Sequence, residues 1–436
     1  MDEKKKKLIK MLLIGLGGLI VLLLGLLLLI PREPKNVELT FWGFWEEEDA
    51  MHPIIEKYEA ENPGVKITYA IQQLSNYESL LYTRLEQAQS TNEPAPDIAM
   101  IHNSWLPKFE KYLTPLPSTV MSLQTYAEEF YPTALEDFTG KKGDIYAIPL
   151  QIDGLMVIYN KDLLAKAGYS TPPADWDSFM DAAKKMTKTD SRGIITQAGL
   201  AVGTAENITH STDILLYFFL QNLAPIIGED KTVVNLTSPR AVTAFEEYTS
   251  FAKDEDATWA SYLANDVTHF VRGELAMMFG TSWRALEILE RTEDIDFGLA
   301  PLPRLTNNEE AYLSSYWGTS VSNTCRNSKE AWEFVEYLSQ PEQLRRLYQN
   351  ASKVRAFGEP YSRVSMNSEL AQNVYTSALA YMAPYMKSWQ FGEQTFVENK
   401  LKEAITTQND ENYQSGESIL RKAEQEINLQ LAVSNK

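Results

Sequence analysis

The chain has 436 residues, a formal net charge of −19, a single cysteine and nine tryptophans. At about 100–200 residues per domain the length points to two domains, and 44% hydrophobic with 23% charged residues is ordinary globular composition, which excludes wholesale disorder, a collagen-like fibre and a polytopic membrane protein. One cysteine excludes an intrachain disulfide and a CxxC metal site, and the acidity excludes nucleic acid as a general partner, because phosphate affinity is built from Lys and Arg.

The charge is unevenly spread. Residues 1–10 are a basic segment, and over residues 1–30 five lysines face Asp2 and Glu3 for a net of +3, so the remainder carries −22. Residues 11–30 hold no charge; at 1.5 Å per residue they span about 30 Å, the hydrocarbon thickness of a bilayer. Lysines directly before this run keep the N-terminus in the cytoplasm and send the rest outward. A cleaved signal peptide competes with this reading, but its apolar region is ordinarily about 7–15 residues with small residues at the exit. Here the exit reads Leu-Leu-Leu-Leu-Ile-Pro-Arg, residues 26–32, which favours a retained transmembrane anchor. The sole cysteine, Cys325, lies far downstream. It reads as structural, and a lipid-modified cysteine after the apolar run is excluded.

Residues 31–36 form a short proline-stiffened linker. Residues 37–42 and 65–69 are β-prone runs, and between them Met51, Ile54, Ile55 and Tyr58 share one helical face until Asn62-Pro63-Gly64 stops it. A second helix places Tyr77, Leu80, Leu81, Leu85 and Ala88 at helical spacing; Pro94-Ala95-Pro96 ends it, and residues 97–101 read as a third strand. Strand–helix–strand–helix–strand predicts a parallel sheet flanked by helices, with the ligand side at the carboxyl ends of its strands. Those ends are residues 43–48 and 102–105.

A second region starts near Ile148-Pro149, with a strand over residues 153–160 and a helix from Trp176 through Ala182. Further helices are expected around residues 239–253 and 283–291, a strand over 295–300, a helix pair over 328–349, and a helical, polar end over 391–431.

The familiar catalytic motifs are missing, and the four histidines, His52, His102, His210 and His269, lack metal-ligand spacing, so each reads as a surface or hydrogen-bonding residue. A glycosidase needs only two carboxylates, and the cluster Glu46-Glu47-Glu48-Asp49 could supply one; its plainer role is acidic dressing of a helix N-terminus. Tryptophan placement is more informative. Trp42 and Trp45 follow the first strand, Trp105 the third; Trp283 and Trp317 sit in Gly-flanked turns, and Trp389 lies in a polar stretch. Such positions suit a cleft in which flat rings stack on sugar faces while carboxylates and amides bind hydroxyls.

Several stretches together carry a family resemblance: residues 39–43 with 58–66, Ala95-Pro96-Asp97-Ile98-Ala99, residues 143–149, residues 157–164 with Gly168, Pro172-Pro173 and Trp176, and residues 270–283. In order and spacing the exported part resembles the extracellular solute-binding proteins of ABC importers, in the branch that includes maltose-binding protein. The resemblance implies an α/β fold of two lobes, each a mainly parallel sheet flanked by helices, closing by a hinge over a ligand. It implies crossings near residues 148–151 and 300–303, a first lobe of residues 37–148 and 302–352, and a second of 149–301 and 353–436. The implied ligand contacts are Trp42, Trp45, Glu46, His102, Trp105, Asp153, Trp283, Trp317, Gly318, Arg355 and Trp389. A tethered, non-catalytic, monomeric receptor that passes a carbohydrate, an oligosaccharide by expectation, to ABC permease subunits is the leading reading. It needs no cofactor or metal. The alternatives are a receptor of the same fold for a polyamine or metal chelate, an extracellular hydrolase using Glu46 or Asp153, and a sensor subunit.

Overall fold

The computed structural model describes residues 36–434 apart from 45, 47, 92, 229–232, 254–256, 306–309 and 411–414. The proposed anchor at residues 11–30 lies outside the described residues; among the described ones no helix is long and apolar enough to cross a membrane.

Two sheets organise the chain. The first contains β1 (Val37–Gly43), β2 (Val65–Ile71), β3 (Ile98–His102), β4 (Leu113–Thr114) and β5 (Ile148–Pro149). The second contains β6 (Met156–Asn160), β7 (Lys188–Thr189), β8 (Ile195–Leu200), β9 (Leu275–Gly280) and β10 (Phe297–Ala300). A short β11 (Tyr312–Leu313) leads to β12 (Trp317–Ser322), which returns to the first sheet, and β11 pairs with β13 (Met386–Lys387). The orders are β2-β1-β3-β12-β4, with β5 also on β12, and β10-β6-β9-β8-β7.

The sequence expectation of mainly parallel sheets needs correction. β1 runs parallel to β2 and β3, as local strand–helix–strand units require, but β12 runs antiparallel to β3, β4 and β5. In the second sheet only β8 and β9 are parallel; β6 is antiparallel to both neighbours, and β7 to β8. A strand that arrives from the other lobe comes in from the opposite end, so its direction is set by the crossing and not by a local helix.

The burial pattern explains the first elements. In β1 Val37, Leu39 and Phe41 are buried while Glu38 and Thr40 face out, the two-residue alternation of a strand with one face on the core. Helix Glu48–Glu61 covers that face with Met51, Ile54, Ile55 and Tyr58. Trp317, read from sequence as part of a turn, begins β12, and Trp283 sits in the first turn of helix Ser282–Arg291. Gly318 was mistaken for a turn signal. Its hydrogen stands where a Cβ would lie 2.5 Å from Phe138 Cζ and 2.8 Å from the Ala147 Cβ, so glycine is required by close packing inside the sheet.

Three passes of chain run side by side between the sheets. Gly154 bridges Ser314, and Gln151 bridges Tyr361. Ile152 N–H donates to the Pro360 carbonyl at 2.9 Å and Ser315 N–H to the Asp153 carbonyl at 3.0 Å. The return crossing therefore lies at residues 312–316. The expected residues 300–303 lead instead into chain that stays on the second lobe: the Tyr217 hydroxyl donates to the Pro303 carbonyl at 2.9 Å, and Arg304 exchanges backbone bonds with Ala174 and Trp176.

Candidate functional site

Strand register brings the candidate residues together. β3 and β12 are antiparallel, and Trp317 pairs with His102. The residue that ends one strand thus stands beside the residue that starts the other. In the second sheet Met156 pairs with Gly280, so the segment just before β6, with Asp153, meets the segment just after β9, with Ser282 and Trp283. Between these two strand-end clusters lies a cavity of about 380 Å³. Trp317 and His102 line it from the first lobe, Trp283 and Asp153 from the second lobe and the crossing.

The first-lobe wall is an aromatic cluster. The Trp317 ring meets Phe44, Trp105 and His102 edge-on at 4.4, 4.9 and 5.0 Å between centroids. Trp105 is 8% exposed and stacks on Phe109 at 5.6 Å. It packs against Trp317 and, unlike the expected ligand contacts His102 and Trp317, is not among the residues that line the cavity. His102 is held by Ser104 Oγ at 2.8 Å from Nδ1 and by Ser315 Oγ at 3.1 Å from Nε2. Burial pushes its imidazole down to about 4, against a smaller opposing pull from Asp213, so it is neutral at pH 7.

The second-lobe wall is built on a helix start. Thr281 gives no side-chain cap to helix Ser282–Arg291. Asp153 supplies one from outside: its carboxylate accepts from Ser282 N–H at 3.1 Å, from the Ser282 hydroxyl at 2.7 Å and from Gly154 N–H at 2.8 Å. Burial raises its carboxyl to about 7, partly offset by those bonds. Arg284 and Glu287, one turn along the same helix, also line the cavity and pair with each other. The Nε atom of Arg284 is buried and has no partner among the described residues.

Behind Trp283 sits Arg355. Its Nη2 donates to Glu46 at 3.0 Å and to Glu359 at 3.1 Å, and its Nε to the Phe357 carbonyl at 3.0 Å. Glu46 and Arg355 therefore support the site from behind the ring. Trp42 is half-buried in β1, between Ala70 and Ala99, and with Gly318 does not line the cavity. Trp389 lines a smaller adjoining chamber, and Trp45 lies outside the described residues.

Sequence reasoning missed Gln151, His210, Ser315, Arg284 and Glu287 in the cavity wall, and Glu359 behind it. His102 and His210, read as separate surface or hydrogen-bonding residues, line the same cavity. Arg284 follows Trp283 directly and was the one readable signal. Among the described residues no group of three or more His, Cys, Asp and Glu side chains is arranged to hold a metal ion. Cys325 is buried and free, which pushes its thiol up to about 12.

Comparison with known proteins agrees with this architecture. A binding protein of Brucella abortus is 26% identical over 352 residues, covering 76% of this chain and 79% of its own length. The maltotriose-binding protein of Pyrococcus abyssi is 23% identical over 389 residues, covering 86% of this chain and 78% of that one. Among solved structures, an ABC transporter solute-binding protein from Thermotoga lettingae bound with α-D-tagatose superposes with a TM-score of 0.69 at 21% identity, covering 91% of this chain and all of that one. The sequence profile of the bacterial extracellular solute-binding proteins matches residues 45–344, and the chain belongs to that family.

Proposed function

We propose that the chain is a membrane-tethered receptor that captures a carbohydrate between its two lobes and delivers it to an ABC importer, without chemical turnover. One observation carries this reading: indoles from opposite lobes, Trp317 and Trp283, line a single cavity of about 380 Å³ together with polar side chains. Two flat rings and a fringe of hydrogen-bonding groups match the apolar faces and polar edges of a sugar. The volume is at the small end of ligand pockets, about 300–1,000 Å³, so the bound portion is short. Names of similar proteins support the same class, one binding maltotriose and one solved with tagatose.

Hydrolysis is disfavoured by how the carboxylates are engaged. Glu46 is tied to Arg355, and Asp153 is held by Ser282 and Gly154. In the proposed receptor Trp283 and Trp317 stack on the ligand, and Arg284 and Asp153 address its hydroxyls. Residues 11–30 would tether the monomer beside the permease and raise its local concentration there.

The test is a thermal-shift and tryptophan-fluorescence screen of the full chain in detergent against mono- and oligosaccharides. A ligand that binds only the folded state raises the midpoint by mass action. A sugar that shifts both signals, with no product formed, supports the reading. Shifts by polyamines or metal chelates and by no sugar overturn it.

A further inference from the structure

The cleft continues past His102. His102 and Ser315 line the main cavity and also the wall of a second chamber of about 110 Å³. Asp213 from helix Ser211–Gln221, Gln394 and Glu398 from helix Gln394–Asn409, and Trp389 complete that chamber. With about 30 Å³ per water molecule, the volume admits a group of a few heavy atoms and no sugar ring.

Its chemistry is a surplus of acceptors. One of the Ser104 and Ser315 hydroxyls donates to the bare nitrogen of neutral His102 while the other accepts from its N–H, and the Asn103 amide donates to Asp137 at 2.9 Å. Glu398 accepts from Gln394 Nε2 at 2.9 Å, and Asp213 meets His210 Nδ1 at 2.9 Å. The Gln394 side chain, in a residue 7% exposed, then has its Oε1 left over, and that atom has no partner among the described residues. Among the described residues no Lys or Arg lines the chamber; the basic group acting on Glu398 is Lys402, one turn further along its helix. Burial, and next the facing Asp213, raise the Glu398 carboxyl above its usual range.

We propose that this chamber is a subsite for a protonated amino group on the ligand held in the main cavity, so that the solute is an amino sugar. The proposal rests on the carbohydrate reading above. An ammonium group offers three donors and no acceptor, which matches Gln394 Oε1 and the two carboxylates. Trp389, fixed by its Nε1 bond to the Leu216 carbonyl at 3.3 Å, adds an aromatic wall of the kind that attracts cations. A hydroxyl brings only one donor, and an acetamido group brings a carbonyl oxygen against oxygens.

The full chain in detergent at about pH 7, where a model α-amino group is largely protonated, is titrated with glucosamine disaccharide, its N-acetylated form, cellobiose and spermidine, followed by tryptophan fluorescence. The amino disaccharide is expected to bind at least about tenfold tighter than either neutral sugar, about 1.4 kcal/mol. In Glu398→Gln and Asp213→Asn, checked for an unchanged ligand-free melting midpoint, that ratio should fall to about one. Neutral sugars binding as tightly as the amino sugar, or variants that keep the preference, overturn the subsite and leave the carbohydrate reading intact. Spermidine binding that is lost in the variants, with no sugar binding, keeps the amine subsite and overturns the carbohydrate reading. Binding of none of the four overturns the amine subsite, and the carbohydrate reading then stands or falls by the wider sugar screen.

Discussion

The guanidinium of Arg355 lies over the Trp283 indole, 4.6 Å from the ring centroid. The same side chain holds Glu46, from the loop after β1, so it joins a first-lobe loop to a second-lobe ring. Burial raises the Glu359 carboxyl, Arg355 opposes that, and a bond from Trp283 helps hold Glu359 charged. Arg355 thus sets its one positive charge between two buried carboxyl groups while lying over the ring that would stack on a ligand.

Replacing Arg355 by alanine should therefore cost stability more than a surface change does. Removing one partner of a buried charge pair leaves an uncompensated charge and costs about 3–5 kcal/mol. The side chains of Arg355, Glu46 and Glu359 are 9%, 8% and 5% exposed, which places them in that class. Urea unfolding of Arg355→Ala should show this loss, and the double variant with Glu46→Gln should recover part of it. A loss below about 1 kcal/mol, the range of exposed pairs, would mean that the network is not held in solution.

The Trp283 ring itself makes a sharper prediction about binding. A central aromatic anchor costs about 2 kcal/mol or more on truncation, roughly thirtyfold in Kd. Trp283→Ala should weaken the best sugar from the screen by at least that factor in calorimetry. Trp105→Phe, behind the first-lobe wall, should change affinity far less. Equal losses would place Trp105 in contact with the ligand after all.

The order of elements was legible because it is written locally. Met51, Ile54, Ile55 and Tyr58 announce a helix whatever happens elsewhere, and they are buried as their spacing predicts. Strand direction was not legible, because β12 owes its orientation to a pairing with β3 far away in sequence. Trp317 and Gly318 were misread for the same reason: a tryptophan beside a glycine looks like a turn until Phe138 and Ala147 occupy the missing Cβ. In the site, Asp153 and Trp283 could be named by resemblance. Glu359 could not, since an acidic residue in a loop carries no local sign that Arg355 and Trp283 will bury it.

Gly318 tests that lesson directly. A methyl group at this position meets two buried neighbours at 2.5 and 2.8 Å, so Gly318→Ala should overpack the sheet at a cost of about 1–3 kcal/mol. Because Gly318 stands off the cavity, the folded fraction should keep its affinity for the best sugar within about threefold, under 0.7 kcal/mol. A variant of normal stability with weakened binding would return Gly318 to the ligand contacts.

Acid response separates two buried groups of opposite sign. Asp153 has its folded value raised from 3.8 to about 7, so the folded state holds more protons than the unfolded one between those values. The stability it lends is present at low pH and is lost as pH rises toward 7. His102 is lowered from 6.5 to about 4, so between those values the unfolded state holds the extra proton, and stability falls as pH drops from 6.5 to 4. The two opposing slopes partly cancel in the native chain over that window. His102→Gln removes one of them. Relative to the native chain, its unfolding free energy should rise as pH falls from 6.5 to 4 by at most about 3 kcal/mol, at 1.36 kcal/mol per unit. Below about 4 the difference should level off, because both states of the native imidazole are then protonated. Urea unfolding of the two proteins across this range checks it, and parallel stability curves would show that His102 titrates alike in the folded and unfolded chains.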